Sequence, residues 1–145
     1  MSEVEDFLTK SQEQQIINAI RSAERNTSGE IRVHIEKCSK KETLERAKEV
    51  FCYLKMDETE AQNGVLFYLG VHDKKFAIVG DKGINKKAPK DFWDTTKEIV
   101  LLQFKKGNFT KGLIHGIHEA GEQLKTYFPY TKDDVDELPN TVSKG

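Results

Sequence analysis

The spacing of apolar residues along the chain switches between a helical period and strict alternation, and each switch predicts an element boundary. Over residues 11–25, Ile16, Ile17, Ile20 and Ala23 form one stripe of a predicted helix, with Ser11 and Gln14 in capping-box positions. After Asn26-Thr27-Ser28-Gly29 the segment Glu30–Glu36 alternates. Ile31, Val33 and Ile35 share one face, and Arg32, His34 and Glu36 share the other. That is a half-buried strand whose polar face is shielded by long side chains. Residues 41–56 return to helical spacing through Leu44, Ala47, Phe51 and Leu54. Residues 64–71 are almost continuously apolar, as a strand buried on both faces should be. Asp73 and Lys74 supply a short turn, and residues 76–80 return as the second arm of an antiparallel hairpin. A helix is predicted over 88–107, with Pro89 in its first turn and Gly107 beyond its end. The last helix covers 108–128, between Asn108 as cap and Pro129 as limit. From there the chain is polar and aperiodic, which divides it into a domain at 1–130 and a disordered acidic tail at 131–145.

The order α-β-α-β-β-α-α predicts an α/β fold: a small mixed sheet of three to four strands with helices on both faces. The strands are expected at 30–36, 64–72 and 75–80. The first two, joined through a helix, should be parallel with a right-handed crossover, and the third antiparallel to the second. A fourth strand is not placed by any pattern, and no internal repeat is present.

Composition narrows the function. The chain has 145 residues, enough for one well-buried domain. With 23 basic and 24 acidic residues its net charge is −1, which lacks the basic surplus of a nucleic-acid binder. No apolar run approaches the roughly 18–20 residues that span a bilayer, so no membrane insertion is expected. The start, MSEVEDFLTK, is acidic and carries no leader pattern. Cys38 and Cys52 form no paired motif and read as reduced thiols. The expectation is a cytoplasmic monomer.

Strand direction then supplies a candidate site. If the first two strands are parallel, Glu30 and Asn63-Gly64 stand at their amino ends. The third strand delivers Gly80-Asp81-Lys82-Gly83 to the same edge. Clustered oxygen ligands from Glu30, Asn63 and Asp81 suit a divalent cation, calcium or magnesium. The competing reading makes Asp81 and its glycines a turn and Glu30 a solvated strand end. Ligands of α/β proteins more often sit beyond the carboxyl ends of strands, which makes the loops at 36–43 and 72–75 the rival location. A phosphate-binding loop is excluded, because Asn85 stands where the second glycine is required. His115 and His118, near Glu119 and Glu122, lie on the solvent side of the last helix and lack a third zinc ligand. His34 and His72 read as ordinary strand-end residues. The small residues Gly112, Gly116 and Ala120 predict close helix packing, and Phe92 and Trp93 predict core anchors. No nucleophile elbow or catalytic Cys/His signature is present.

Three segments together resemble the TPM domain, also called the TPM phosphatase family, which includes a thylakoid lumen acid phosphatase. They are SGEIRVHI, NGVLFYLGVHDKKFAIVGDKGI and FKKGNFTKGLIHGI, within a similarity that runs over about residues 8–128. The last holds Phe104, Gly107, Phe109, Gly112 and Leu113 in the family's aromatic-glycine pattern. The resemblance implies a three-layer α/β/α sandwich, divalent cations bound in some members and weak acid phosphatase activity in some. It implies a stand-alone domain here, without the leader and membrane tail of many relatives. Where the family has Gly-Tyr-Gly-Leu-Glu, this chain has Gly80-Asp81-Lys82-Gly83-Ile84, so Asp81 stands in for the missing glutamate. Asp91 matches the acidic position near the start of the next helix. Two functions follow. One is a non-catalytic module binding a divalent cation or an unidentified protein partner. The alternative is a cation-dependent acid phosphatase whose ion is held by Glu30, Asp81 and Asp91. The absence of a recognisable nucleophile favours the first.

Overall fold

The computed structural model of the chain describes residues 7–72, 74–130 and 140–144. In chain order the elements are α1 (Lys10–Glu24), β1 (Glu30–Glu36), α2 (Thr43–Tyr53), a 3-10 turn (Met56–Glu58), β2 (Gly64–Gly70) and β3 (Lys75–Gly80). They continue with α3 (Lys82–Lys87), α4 (Asp94–Lys105), α5 (Phe109–Tyr127) and β4 (Ser143–Lys144). The sheet order is β3-β2-β1-β4. β1 and β2 are parallel, with Glu30 opposite Gly64, and β2 and β3 are antiparallel, with Val65 opposite Gly80.

Alternation along β1 divides the core in two. Ile31, Val33 and Ile35 join Val65, Phe67 and Leu69 of β2 beneath α1, α4 and α5. The opposite face of β2 and β3, through Leu66, Tyr68, Ala77 and Val79, packs against Ala47, Val50 and Phe51 of α2. The result is an α/β/α sandwich with three long helices on one face and one on the other. Each fully buried Leu, Ile or Phe contributes about 1.5–3 kcal/mol by leaving water. The predicted small-residue stripe has a packing cause. A Cβ on Gly116 would come within 2.4 Å of Val100 Cγ2 and 3.1 Å of Phe67 Cε2, so α5 meets α4 and the sheet only without a side chain there. Phe92 and Trp93 pack edge to face at 4.5 Å against this core, and they also line a cavity of about 230 Å³ with Ile84 and Pro89.

Several boundaries differ from expectation. α1 is capped by Thr9, whose box partner is Gln12, because Thr9 has the extended backbone that a cap requires. Residues 89–93 form a turn, so the predicted helix at 88–107 starts only at Asp94 and Pro89 lies outside it. Asn108 precedes α5, but its side chain donates to Gln103 Oε1 instead of capping the helix.

The end of the chain departs from a mobile tail. Residues 131–139, where most of that expectation falls, lie outside the described residues, as does Asp73 in the hairpin turn. Residues 140–144, however, add the fourth strand. Ser143 pairs with His34 and Lys144 with Ile35, in parallel to β1. Val142 is buried in the larger core, and Lys144 Nζ meets Glu13 Oε2 at 3.0 Å. The physical reason is alternation over so short a stretch that no sequence period reveals it: Val142 points inward while Ser143 meets the polar face of β1.

Candidate functional site

The amino edge of the sheet is built by backbone hydrogen bonds among three separated segments. Glu30 N–H donates to Asn63 carbonyl at 3.2 Å, and Asp81 N–H donates to Gly64 carbonyl at 3.0 Å. Gly83 N–H donates to Gln62 carbonyl at 2.9 Å. The tetrapeptide at 80–83 is therefore more than a turn: Asp81 caps the six-residue helix α3, its Oδ1 accepting from Lys82 N–H at 2.7 Å. Gly83 allows this helix to lie on the preceding loop. Any Cβ there would fall 2.4 Å from Ala61 carbonyl oxygen and 2.5 Å from that of Gln62.

Of the residues expected at this edge, Glu30 and Asp81 stand at the same end of the sheet with β2 between their strands, and both are buried, at 4% and 6% exposure. Asp81 Oδ2 is buried and has no hydrogen-bond partner among the described residues. Asn63 is buried too, and its amide nitrogen donates to the Ser28 carbonyl at 3.1 Å. Asp91 sits exposed on the turn ahead of α4. Among the described residues, no group of three or more His, Cys, Asp or Glu is assembled to hold a metal. His115 and His118 lie exposed on α5, as their spacing predicted. Cys38 and Cys52 are free and exposed.

At the other end of β1 the structure holds a network that the sequence reading did not anticipate. His34 is not a strand-end residue: it lies within β1, is buried, and stacks beside Tyr68 at 6.0 Å. Its Nδ1 is 2.9 Å from Ser143 Oγ and its Nε2 is 3.1 Å from Glu36 Oε1. Glu36 also accepts from Arg46 Nε and Nη2, each at 2.9 Å, and from the Tyr68 hydroxyl. Burial pushes Glu36 upward, yet the hydrogen bonds from Arg46, Tyr68 and His34 outweigh it and hold the carboxyl at about 2. Burial holds His34 below its ordinary value, against the opposing pull of Glu36. Tyr68 is raised, first by burial and then by Glu36. The only local signal was the run Arg32, His34, Glu36 on one face of a strand. Arg46 and Ser143 are too distant in sequence to reveal themselves.

Comparison with known proteins agrees with this architecture. The TPM domain model matches residues 2–123. The NMR structure of the BA42 protein from the psychrophilic bacterium Bizionia argentinensis is 59% identical over 100% of both chains, with a TM-score of 0.93. The N-terminal domain of a P. gingivalis protein superposes with a TM-score of 0.68 at 17% identity, covering 83% of this chain and 78% of its own. That of the cg2496 protein from Corynebacterium glutamicum does so with 0.66 at 10% identity, covering 86% and 78%. These last two speak to the fold alone. No curated protein matches the chain.

Proposed function

The chain belongs to the TPM domain family, and from that premise we propose that its amino-terminal sheet edge is a non-catalytic site for a divalent cation, calcium or magnesium. The observation that carries the reading is Asp81 Oδ2, a buried carboxylate oxygen with no hydrogen-bond partner among the described residues. Leaving such an oxygen desolvated and unpaired costs about 1–3 kcal/mol or more for a charged group, and a bound cation removes that cost. Asp81 is thus the anchoring ligand, and Glu30 at the start of β1 and Asp91 on the exposed turn are its candidate partners, drawn to the ion on binding, since the three are not preassembled among the described residues. The Asp81 side chain fits an oxygen-seeking ion. No soft thiolate or imidazole stands among these three residues, which disfavours zinc. A protein partner recognised through the bound ion is compatible with the same edge. Among the described residues, no helix is long and apolar enough to cross a membrane.

Lysines 82, 86 and 87, exposed on α3 beside Asp81, favour phosphate as a co-ligand and sustain a second reading, a weak cation-dependent phosphomonoesterase. Amide NMR titration tests the site directly. Calcium or magnesium should shift residues 30, 62–64 and 81–83, with affinity of order 10⁻⁴–10⁻³ M, as for weakly held calcium. Asp81→Asn keeps the helix cap, since Asn and Asp cap equally well, and should abolish the shifts while leaving the spectrum folded. Unchanged titration of that variant, or shifts clustered at 36–43 and 72–75, overturns the assignment. Turnover of p-nitrophenyl phosphate that needs Asp81 would select the second reading.

A further inference from the structure

The network at the far half of β1 has the connectivity of an activated nucleophile, and its chemistry does not rest on the cation reading. Glu36 is ionised and its two oxygens accept from Arg46 twice, from Tyr68 and from His34. An ionised carboxylate can only accept, so His34 Nε2 carries the hydrogen that it donates to Glu36. The lone pair of neutral His34 is then at Nδ1, facing Ser143 Oγ at 2.9 Å. The Ser143 hydroxyl must donate to it. Nucleophile, base and orienting acid are thus in series, each within hydrogen-bond reach of the next.

A fourth group lies on the same face. Arg32 stands two residues before His34, half-buried, and its Nε is buried without a hydrogen-bond partner among the described residues. Its charge reaches the His34 ring. Ser143 itself is only partly buried, so a small molecule can approach it.

We propose that Ser143 and His34 form a hydrolytic site for small carboxylic esters, with Glu36 as the positioning residue. In the first step the Ser143 hydroxyl proton passes to His34 Nδ1 while Oγ bonds to the ester carbonyl carbon, whose carbonyl π bond opens to an oxyanion. The carbon–oxygen bond to the alcohol then breaks, and His34 returns its proton to the departing alkoxide. Water, deprotonated by His34, attacks the acyl-serine. The bond to Ser143 Oγ breaks, the serine recovers its proton, and the carboxylic acid leaves. No oxidant, metal or second substrate beyond water enters the balance. A neutral His34 is required, and burial favours it, with the positive charges of Arg46 and Arg32 opposing protonation and Glu36 favouring it. Tyr68, on β2, faces the ring with a phenol that stays protonated.

The test uses the full-length protein and a fluorophosphonate reagent, which bonds to activated serine oxygens with loss of fluoride. Peptide mass spectrometry should place the adduct on Ser143. The labelling rate should fall at least about 100-fold in His34→Gln, the range that a general base supplies. It should also be lost as pH drops through the depressed His34 value. The same reactivity should give a burst of p-nitrophenol from p-nitrophenyl acetate, absent in Ser143→Ala. An adduct elsewhere, no adduct at all, or equal labelling in His34→Gln overturns the proposal. Site assignment in the wild-type protein settles the question even if Ser143→Ala loosens β4.

Discussion

At the scale of single residues, Glu36 is the side chain on which most depends. It is 5% exposed and saturated by donors from a strand, a helix and a ring. Its value of about 2 in the fold lies below the ordinary carboxyl range, so the folded state holds on to its ionised form. The stabilisation is therefore fully present above about pH 4.5 and is lost as pH falls from there through about 2. Wild-type unfolding free energy should decline across that window. Glu36→Gln should flatten the decline, because a neutral amide has no proton to take up. The variant should also be less stable at pH 7 by about 2–4 kcal/mol, since the amide cannot accept from all four donors and leaves an Arg46 or Tyr68 hydrogen unmatched. Urea unfolding of both proteins between pH 2 and 7 checks the sign and the size. An unchanged acid limb in the variant would show that Glu36 is not the group that titrates.

At the scale of elements, the parts legible in the sequence were those whose periodicity runs for a turn or more. The strict alternation of Glu30–Glu36 and the continuous apolar run from Gly64 each fixed one burial pattern, and both strands lie where expected. The pairing of β1 with β2 in parallel followed from the intervening helix. Short elements were not legible. Asp-Lys-Gly carries turn propensity, yet Asp81 supplies a cap and Ile84 a buried anchor, and tertiary contact makes six residues helical. β4 is shorter still, with two residues. Its one apolar residue, Val142, inserts into the larger core, while Ser143 and Lys144 bond to His34 and Glu13. The chain end should therefore matter to stability. Deleting residues 140–145 removes the buried valine and the edge pairing, for a loss of about 2 kcal/mol. For a domain of this size that corresponds to a fall in Tm of about 4–8 °C. Scanning calorimetry of the shortened chain measures it, and an unchanged Tm would mean that the strand contributes no net stability.

At the scale of the whole molecule, helix placement separates two chemistries. Three helices seal the face bearing Ile31, Val33 and Ile35, whereas α2 covers mainly β2 and β3 on the other. The polar face of β1 is left to be satisfied by side chains from its neighbours, and the network around Glu36 is the consequence. The acidic edge at Glu30 and Asp81 forms separately, where backbone from 62–64 and 80–83 meets. Glu30 and His34 are four residues apart on one strand, about 13 Å at the usual rise per residue. That exceeds the screening length of about 8 Å at physiological salt. Both groups are borne by one packed sheet that has no hinge between them, and sites so separated usually act independently. Saturating calcium should therefore change the rate of Ser143 labelling by no more than about twofold, the scatter of additive sites. Asp81→Asn should leave that rate equally unaltered. Deleting residues 140–145 should do the converse, abolishing labelling while the calcium-induced amide shifts at 30, 62–64 and 81–83 persist. A labelling rate that follows calcium occupancy would show instead that β1 transmits strain between its ends, and the two sites would have to be treated as one coupled device.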